Sequence, residues 1–546
     1  MHADVLPSLG SVRAKQVLAE CIALLPAEDP RAAELGAIAR RLDGTMRLAV
    51  VGQVNRGKST LVNALLGAQV VATGRQELTF NVNELHFSES ESVVVHFRDG
   101  TPPLEVTRDS LARWTNYDLR NLEDLLRVRK VTFGLPNRLL RNFRLVDTPG
   151  LGSIHVADSA ATLSQLGIDA EAIDPSLSEA LGDLERRRVE VVNESVTELD
   201  QADAVLYLFD RGISVQDRKV LAELSSNHLD ALTPLKAFGV LSKCDDYWPV
   251  GPERAGADDP LAFHPLRDGA RAVIDRYFAR PDIRQYFYVV VPVAARVATG
   301  ACELGTDHFS WLEELSRQHP APLAQELSDA ASFAGQAGPV PSRARRELLE
   351  LLGPWGIHLA CQALREGLAA EKVRDHLLEE SGVRAVSELS VRHFGNRATL
   401  IKLGQAVRSA RLLLASQHDR NSSALEEIGQ RIEALERSEQ GFAEIRALSA
   451  HYRHHLTDFS ESEIDDLLQV TGERGTHCAA RLGLSADASL AALAEKAVGR
   501  VRYWAARSND PLLERNSRQV ARTVLRSHEA IAHRIHLAMR FLEMVD

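Results

Sequence analysis

Two glycines, a lysine and a serine stand at fixed spacing in the octet Gly52-Gln-Val-Asn-Arg-Gly-Lys-Ser59. The octet lies between an apolar run and a helical one, which is the setting of a phosphate-binding loop. Gly52 and Gly57 let the backbone fold tightly enough for its N–H groups to converge on a β-phosphate. Lys58 reaches the β- and γ-phosphates, and the Ser59 hydroxyl is the expected Mg2+ ligand. Gln53 and Thr60, within and just after the octet, belong to the same phosphate-binding set.

Two further stretches name the base and the chemistry. "FRLVDTPGLG" (143–152) reads as an apolar strand ending in Asp147, where a carboxylate holds Mg2+ through water. Gly150 is expected to sense the γ-phosphate through its N–H, since glycine lets the backbone approach and then swing away. "FGVLSKCDDYW" (238–248) is a second strand, ending in Lys243-Cys244-Asp245. Asp245 would accept both the ring N–H and the exocyclic amine of guanine, with the Lys243 stem packed along the base. Adenine presents the opposite pattern and would leave the carboxylate unpaired. Three such motifs in this order, each at a strand's end, point to a GTPase with GTP or GDP and Mg2+ as ligands. The segment "PVAAR" (292–296) resembles the last guanine motif, with Ala294 where serine is common.

The cleavage machinery is less standard. Leu151 stands where a water-orienting glutamine follows the glycine in Ras-like enzymes. Asn55 is the expected ligand of K+ or Na+ beside the phosphates, or else it shapes the loop by a hydrogen bond. Arg56 is a second candidate for charge stabilisation, in cis or across a dimer, against the alternative of a solvated side chain. Within "VVATGRQELTFNVNEL" (70–85), the expected first switch, Thr79 is taken to close on Mg2+, with Thr73 the alternative.

These residues need a scaffold that ends several strands at one rim. Residues 10–43 read as two helices. From Met46 to about residue 300, strand-like runs alternate with helical ones, predicting an α/β P-loop domain with a mostly parallel sheet and helices on both faces. The expected strands are "MRLAVV", "VNELHFSE", "SVVVHFRDG", "RNFRLVDTPG", "ADAVLYLFD", "LKAFGVLSKCD" and "YFYVVVPVAA". Residues 324–346 read as a connection. Beyond it lies an all-α bundle, with stripes such as Leu400, Leu403, Val407, Ala410 and Leu414 stepping by three and four. The expected division is 1–43 (helices joining a neck), 44–305 (GTPase domain) and 306–546 (neck and trunk bundle). Leu351–Ala360, the most apolar part of the tail, reads as core.

Composition narrows the function classes. The 546-residue chain has a formal net charge of -11, which disfavours bulk binding to phosphate backbones, and no nucleic-acid partner is expected. Five isolated cysteines fit a reducing compartment better than a disulfide framework or a zinc site. No leader or membrane-spanning run is read, so a cytoplasmic protein peripheral to the membrane is expected. His451, His454 and His455 are read as a solvated helix face.

The order GxxxxGKS, DTPG, SKCD resembles the translation-factor class of GTPases. The gaps between the motifs are long, with an insertion at 153–198. Helices before the domain and a long helical tail make the layout similar to dynamin-like proteins. The segments "ELLELLGPWGIHLACQALREG" (347–367), "HLLEESGVRAVSELSVRHFGNRATLIKLGQAV" (376–407), "GTHCAARLGL" (475–484) and "NDPLLERNSRQVARTVLRSHEAI" (509–531) resemble the actinobacterial subgroup that includes the isoniazid-inducible dynamin-like proteins. That resemblance implies dimerisation through the GTPase domain, a neck and trunk moved by nucleotide state, co-assembly with a second dynamin-like protein, and membrane work in envelope maintenance or at division septa. The expected trunk tip, 471–487, is hardly greasy, which favours recruitment by a membrane-bound partner. The rival readings are a ribosome- or RNA-associated Era-like GTPase and a GTP-binding scaffold with little turnover.

Overall fold

The protein is represented by a computed structural model, which describes residues 9–26, 28–53, 55–71, 82–115, 124, 127–148, 201–225, 234–248, 263–335, 338–415, 423–452 and 455–545. The chain forms two compact units. One comprises Arg47–Thr233 and Ala237–Glu388; the other comprises Met1–Met46, Pro234–Lys236 and Leu389–Asp546.

The first unit is built on a nine-stranded mixed sheet. Its strands are β1 (Met46–Gly52), β2 (Val82–Phe87), β3 (Ser92–Phe97), β4 (Leu104–Glu105), β5 (Val128–Leu135), β6 (Phe143–Asp147), β7 (Ala204–Asp210), β8 (Ala237–Ser242) and β9 (Val290–Pro292). Their order across the sheet is β4-β3-β5-β2-β6-β1-β7-β8-β9. β1, β7, β8 and β9 run parallel, in registers such as Gly52 opposite Leu208 and Asp210 opposite Ser242. All six residues of β8 are buried, as a strand covered on both faces should be. β2 lies parallel to β5 and antiparallel to β6, while β3 is antiparallel to β4 and β5. β5 was not among the expected strands, and it joins β2 to β3.

One continuous core runs from sheet residues such as Val51, Tyr207, Phe209 and Leu241 to Leu312, Leu348, Leu352, Trp355 and Leu377 of the following helices. This unit therefore extends to Glu388, past the residue-305 boundary read from the sequence. The expected connection at 324–346 is instead largely helical, with Pro320–Leu327, Ala330–Gly335 and the start of Ser342–Arg365. Leu327, Phe333 and Val340 are buried there, and the buried Arg345 guanidinium donates to the carbonyls of Phe333 (3.2 Å) and Val340 (3.1 Å). In Leu351–Ala360, Leu352, Trp355, Ile357 and Leu359 are buried, as expected of core.

In the other unit, the helices Leu9–Ala23 and Pro30–Arg41 pack with Ala398–Ala415 and Ser423–Ser438 through Leu18, Leu35, Val407, Ala410 and Ile432. Buried Lys402 donates to the carbonyls of Leu42 (2.9 Å) and Gly44. A second core centres on Trp504, Leu467, Val524 and Ile531. Fully buried Arg397 donates to Glu473 (2.8 Å), His393 Nδ1 (3.0 Å) and the Tyr452 hydroxyl (3.3 Å). Ser460 and Glu463 form a capping box at the start of Glu461–Val470. Among the described residues, no helix is long and apolar enough to cross a membrane.

Candidate nucleotide site

β1 ends at Gly52, and the loop that follows enters the helix Lys58–Leu66. Gly52 has φ +157°, and a Cβ there would lie 2.9 Å from the Leu208 carbonyl oxygen, so only glycine lets the loop leave β1 beside β7. Asn55 adopts φ 60°, a left-handed conformation that asparagine tolerates better than most residues. Lys58 is buried and donates to the Gln53 carbonyl at 2.9 Å. Burial lowers its ammonium to about 8, and the neighbouring Asp147 charge only partly offsets this.

A buried capping pattern holds the loop from behind. Ser214 N–H and Oγ–H donate to Asp217 Oδ2 at 2.9 and 2.7 Å, and Asp217 N–H donates back to Ser214 Oγ at 3.0 Å. Asp217 also accepts from Gln53 Nε2 at 2.8 Å, so Gln53 faces its own scaffold. Arg56 is not solvated: Nη1 lies 3.1 Å from Asp210 Oδ2, and both side chains are less than one-fifth exposed. Asp210 closes β7 and also lies 3.7 Å from Lys243 Nζ, linking the phosphate loop to the base loop.

Asp147 closes β6 with no exposure. Its Oδ2 accepts from Ser59 Oγ at 2.9 Å and from Asn83 Nδ2 at 3.4 Å, while the buried Oδ1 has no partner. Burial raises its carboxyl above the usual range, against the pull of Lys58. An orphaned carboxylate oxygen beside a serine hydroxyl fits a hydrated Mg2+, which Ser59 and Asp147 would hold.

β8 passes into Lys243 at φ 55° and a 3-10 turn, Cys244–Tyr247. Ser242 Oγ donates to the Phe209 carbonyl at 2.6 Å, and Cys244 N–H to the Val293 carbonyl at 3.2 Å. Ala294 N–H is in turn bound to the Ser381 carbonyl at 2.8 Å. Asp245 is buried, with Arg296 Nη2 donating to its Oδ2 at 2.6 Å. Thus β1, β6 and β8 end in the three motifs, each on the expected strand.

Residues 48–242 match the family model described as Dynamin family. Over 506 residues the chain is 26% identical to the isoniazid-induced protein IniC of Mycobacterium tuberculosis, covering 91% of this chain and 92% of that protein. Over residues 48–242 the chain is thus similar to the dynamin family. Dynamin-like protein 2 of Campylobacter jejuni is 31% identical over 176 residues, 31% of this chain and 28% of that one. A solved oligomerised bacterial dynamin pair aligns over 97% of this chain and 91% of that chain, at 13% identity and a TM-score of 0.33.

In this chain, Gly52, Gln53, Asn55, Arg56, Gly57, Lys58, Ser59 and Thr60 form one loop and helix start, with Ser59 bonded to Asp147. Thr79, its alternative Thr73, and Gly150 lie outside the described residues. Sequence reasoning missed Asp217, Asp210, Asn83 and the side chain of Arg296. Of these only Asp217 carried a signal, the spacing Ser214-x-x-Asp217 ahead of a helical run. Among the described residues, no cluster of metal-ligating side chains suits a structural metal.

Proposed function

We propose that this protein binds GTP with Mg2+ and hydrolyses it, and that loss of the γ-phosphate drives a change in assembly. The observation that carries the reading is the Ser59–Asp147 contact at 2.9 Å beside Lys58, on the same sheet whose β8 leads into Asp245. In this reading the loop amides and Lys58 bind the β- and γ-phosphates, and Asp245 selects guanine. When bound, Mg2+ neutralises charge on the β- and γ-oxygens. Thr79 closes over the site, and Gly150 senses the terminal phosphate. Asn55 is the ligand for a K+ or Na+ ion. As placed, Arg56 serves first to anchor the loop on Asp210, and would have to leave that carboxylate to stabilise charge in the transition state.

The likeness to the Dynamin family over residues 48–242 supports extending this to self-association through the GTPase domain and to a second dynamin-like partner. The proposed setting is the inner face of the cell membrane, in envelope maintenance or at the division septum, with membrane contact direct or through that partner. Calorimetry with GDP, GTP analogue and ATP, together with phosphate release in K+, Na+ and Cs+, tests the site. Guanosine-selective binding that vanishes in Lys58→Ala is expected; equal affinity for ATP refutes the base assignment. Liposome sedimentation with and without a candidate partner tests the membrane role.

A further inference from the structure

Asp245 and Asp246 stand side by side in the base loop, and one guanidinium serves both. Arg296 Nη2 donates to Asp245 Oδ2 at 2.6 Å and lies 3.5 Å from Asp246 Oδ1. The Asp245 side chain is 4% exposed, so its charge has little help from water. The guanidinium has a built seat. Gly353, in the kink of Ser342–Arg365 ahead of Pro354, has φ 65°, and a Cβ there would lie 2.3 Å from Nη2. The base loop, the helix Ala295–Glu303 and the kinked helix thus meet at this one side chain.

Other charged groups around the loop are committed elsewhere. Lys243 and Arg211 lie 3.7 and 3.9 Å from Asp210, at the end of β7. In the turn packed against the loop, His264 and Arg267 pair with Glu380, and Asp268 accepts from the His264 N–H. His358 of the kinked helix stacks on Trp248, with ring centroids 4.7 Å apart, and burial keeps it neutral. Cys244 and Tyr247, in the loop itself, are held protonated by burial. Among the described residues, Arg296 is the cation bonded to Asp245. A carboxyl shielded from water beside a second, more exposed one tends to hold a proton unless a cation opposes this. Asp246 accordingly titrates above the ordinary range through burial and the Asp245 charge, with Arg296 pulling it back.

We propose that Arg296 is a positioning residue for guanine selection, neutralising the Asp245–Asp246 pair so that Asp245 stays ionised and oriented to accept both donors of the guanine edge. This rests on the guanosine reading of the site. A protonated Asp245 would turn an O–H toward a base edge that offers only donors.

The test is GDP affinity of the full chain between pH 5.5 and 8.0, with folding checked by circular dichroism. Relative to the unaltered protein, Arg296→Gln should lose GDP affinity more steeply as pH falls from 8.0 to 5.5, by a further several-fold at the acid end. Arg296→Lys should restore the profile, and so should Asp246→Asn added to Arg296→Gln. Asp246→Asn alone should move the acid limb to lower pH, which decides the matter if Arg296→Gln fails to fold. Superimposable profiles for Arg296→Gln and the unaltered chain, or tighter binding by Arg296→Gln at every pH, would overturn the proposal. If the unaltered chain bound no GDP at any pH, the guanosine reading itself would fail.

Discussion

The Arg56 guanidinium lies 3.1 Å from Asp210 Oδ2, which fixes the fifth residue of the phosphate-loop octet to the end of the neighbouring strand. The pair is mostly shielded from water, so removing one member should cost more than a surface ion pair does. Lys243, 3.7 Å from the same carboxylate, softens that cost. Arg56→Ala is expected to lower stability by about 1–2 kcal/mol in urea unfolding. Turnover of GTP should fall less than about tenfold if the arginine serves the loop. A loss near 10³ would mean that it leaves Asp210 to act on the phosphates.

Lys58 titrates at about 8 in the ligand-free pocket, against an ordinary value of 10.5. The unfolded chain therefore holds more protons between these values, and the ligand-free protein should gain stability as pH rises through that window. Phosphate restores the charge, so binding at pH 9 should take up a proton. Calorimetry of GDP binding in buffers of different ionisation enthalpy reads this uptake directly, and Lys58→Ala removes binding altogether.

Asp147 is buried with Oδ1 unpartnered, an arrangement that costs the ligand-free protein stability. Asp147→Asn should raise the melting temperature without nucleotide while abolishing the Mg2+-dependent part of nucleotide affinity. Thermal melts and GDP dissociation with and without Mg2+ separate the two effects. An unchanged Mg2+ dependence would remove Asp147 from the metal site.

His358 titrates at about 4, pushed down by burial with a smaller contribution from Arg365. Its lowered value means that the unfolded chain takes up the proton first, below about pH 6.5. Stability is fully present above that pH and falls by roughly 3 kcal/mol as pH drops from 6.5 to 4. His358→Phe keeps a ring against Trp248 and should flatten this part of the denaturation profile.

Arg397 carries a charge at full burial, compensated by Glu473 and by oriented polar groups. Arg397→Met should destabilise the helical unit by about 3–5 kcal/mol, because Glu473 and Tyr452 lose the guanidinium that bonds both. Pairing it with Glu473→Gln should recover part of that loss. A single change with no effect on unfolding would contradict the observed network.

The parts of the site that are contiguous in the chain were legible, because the octet, Asp147 and Lys243-Cys244-Asp245 each end an apolar run whose burial demands a strand. Long-range partners were not. Nothing local in sequence says that Asp210 will face Arg56, or that Asn83 will reach Asp147 across an antiparallel pair. β5 escaped because Val128–Leu135 carries Arg129 and Lys130 in a half-exposed alternation, with its identity set by β2 and β3 on either side. The connection expected at 324–346 failed for a related reason. Its glycines and prolines punctuate short helices, and Leu327, Phe333 and Val340 are spaced too widely to show their common burial.

Because Arg296 touches both carboxylates of the base loop, re-coding the pocket for another base is a two-residue problem. Exchanging Asp245 for asparagine would offer an amide donor to the 2-oxo group of xanthine, yet leave the guanidinium facing Asp246 alone. A bio-orthogonal nucleotide system built on this scaffold therefore has to redesign the cation behind the base-facing side chain together with that side chain.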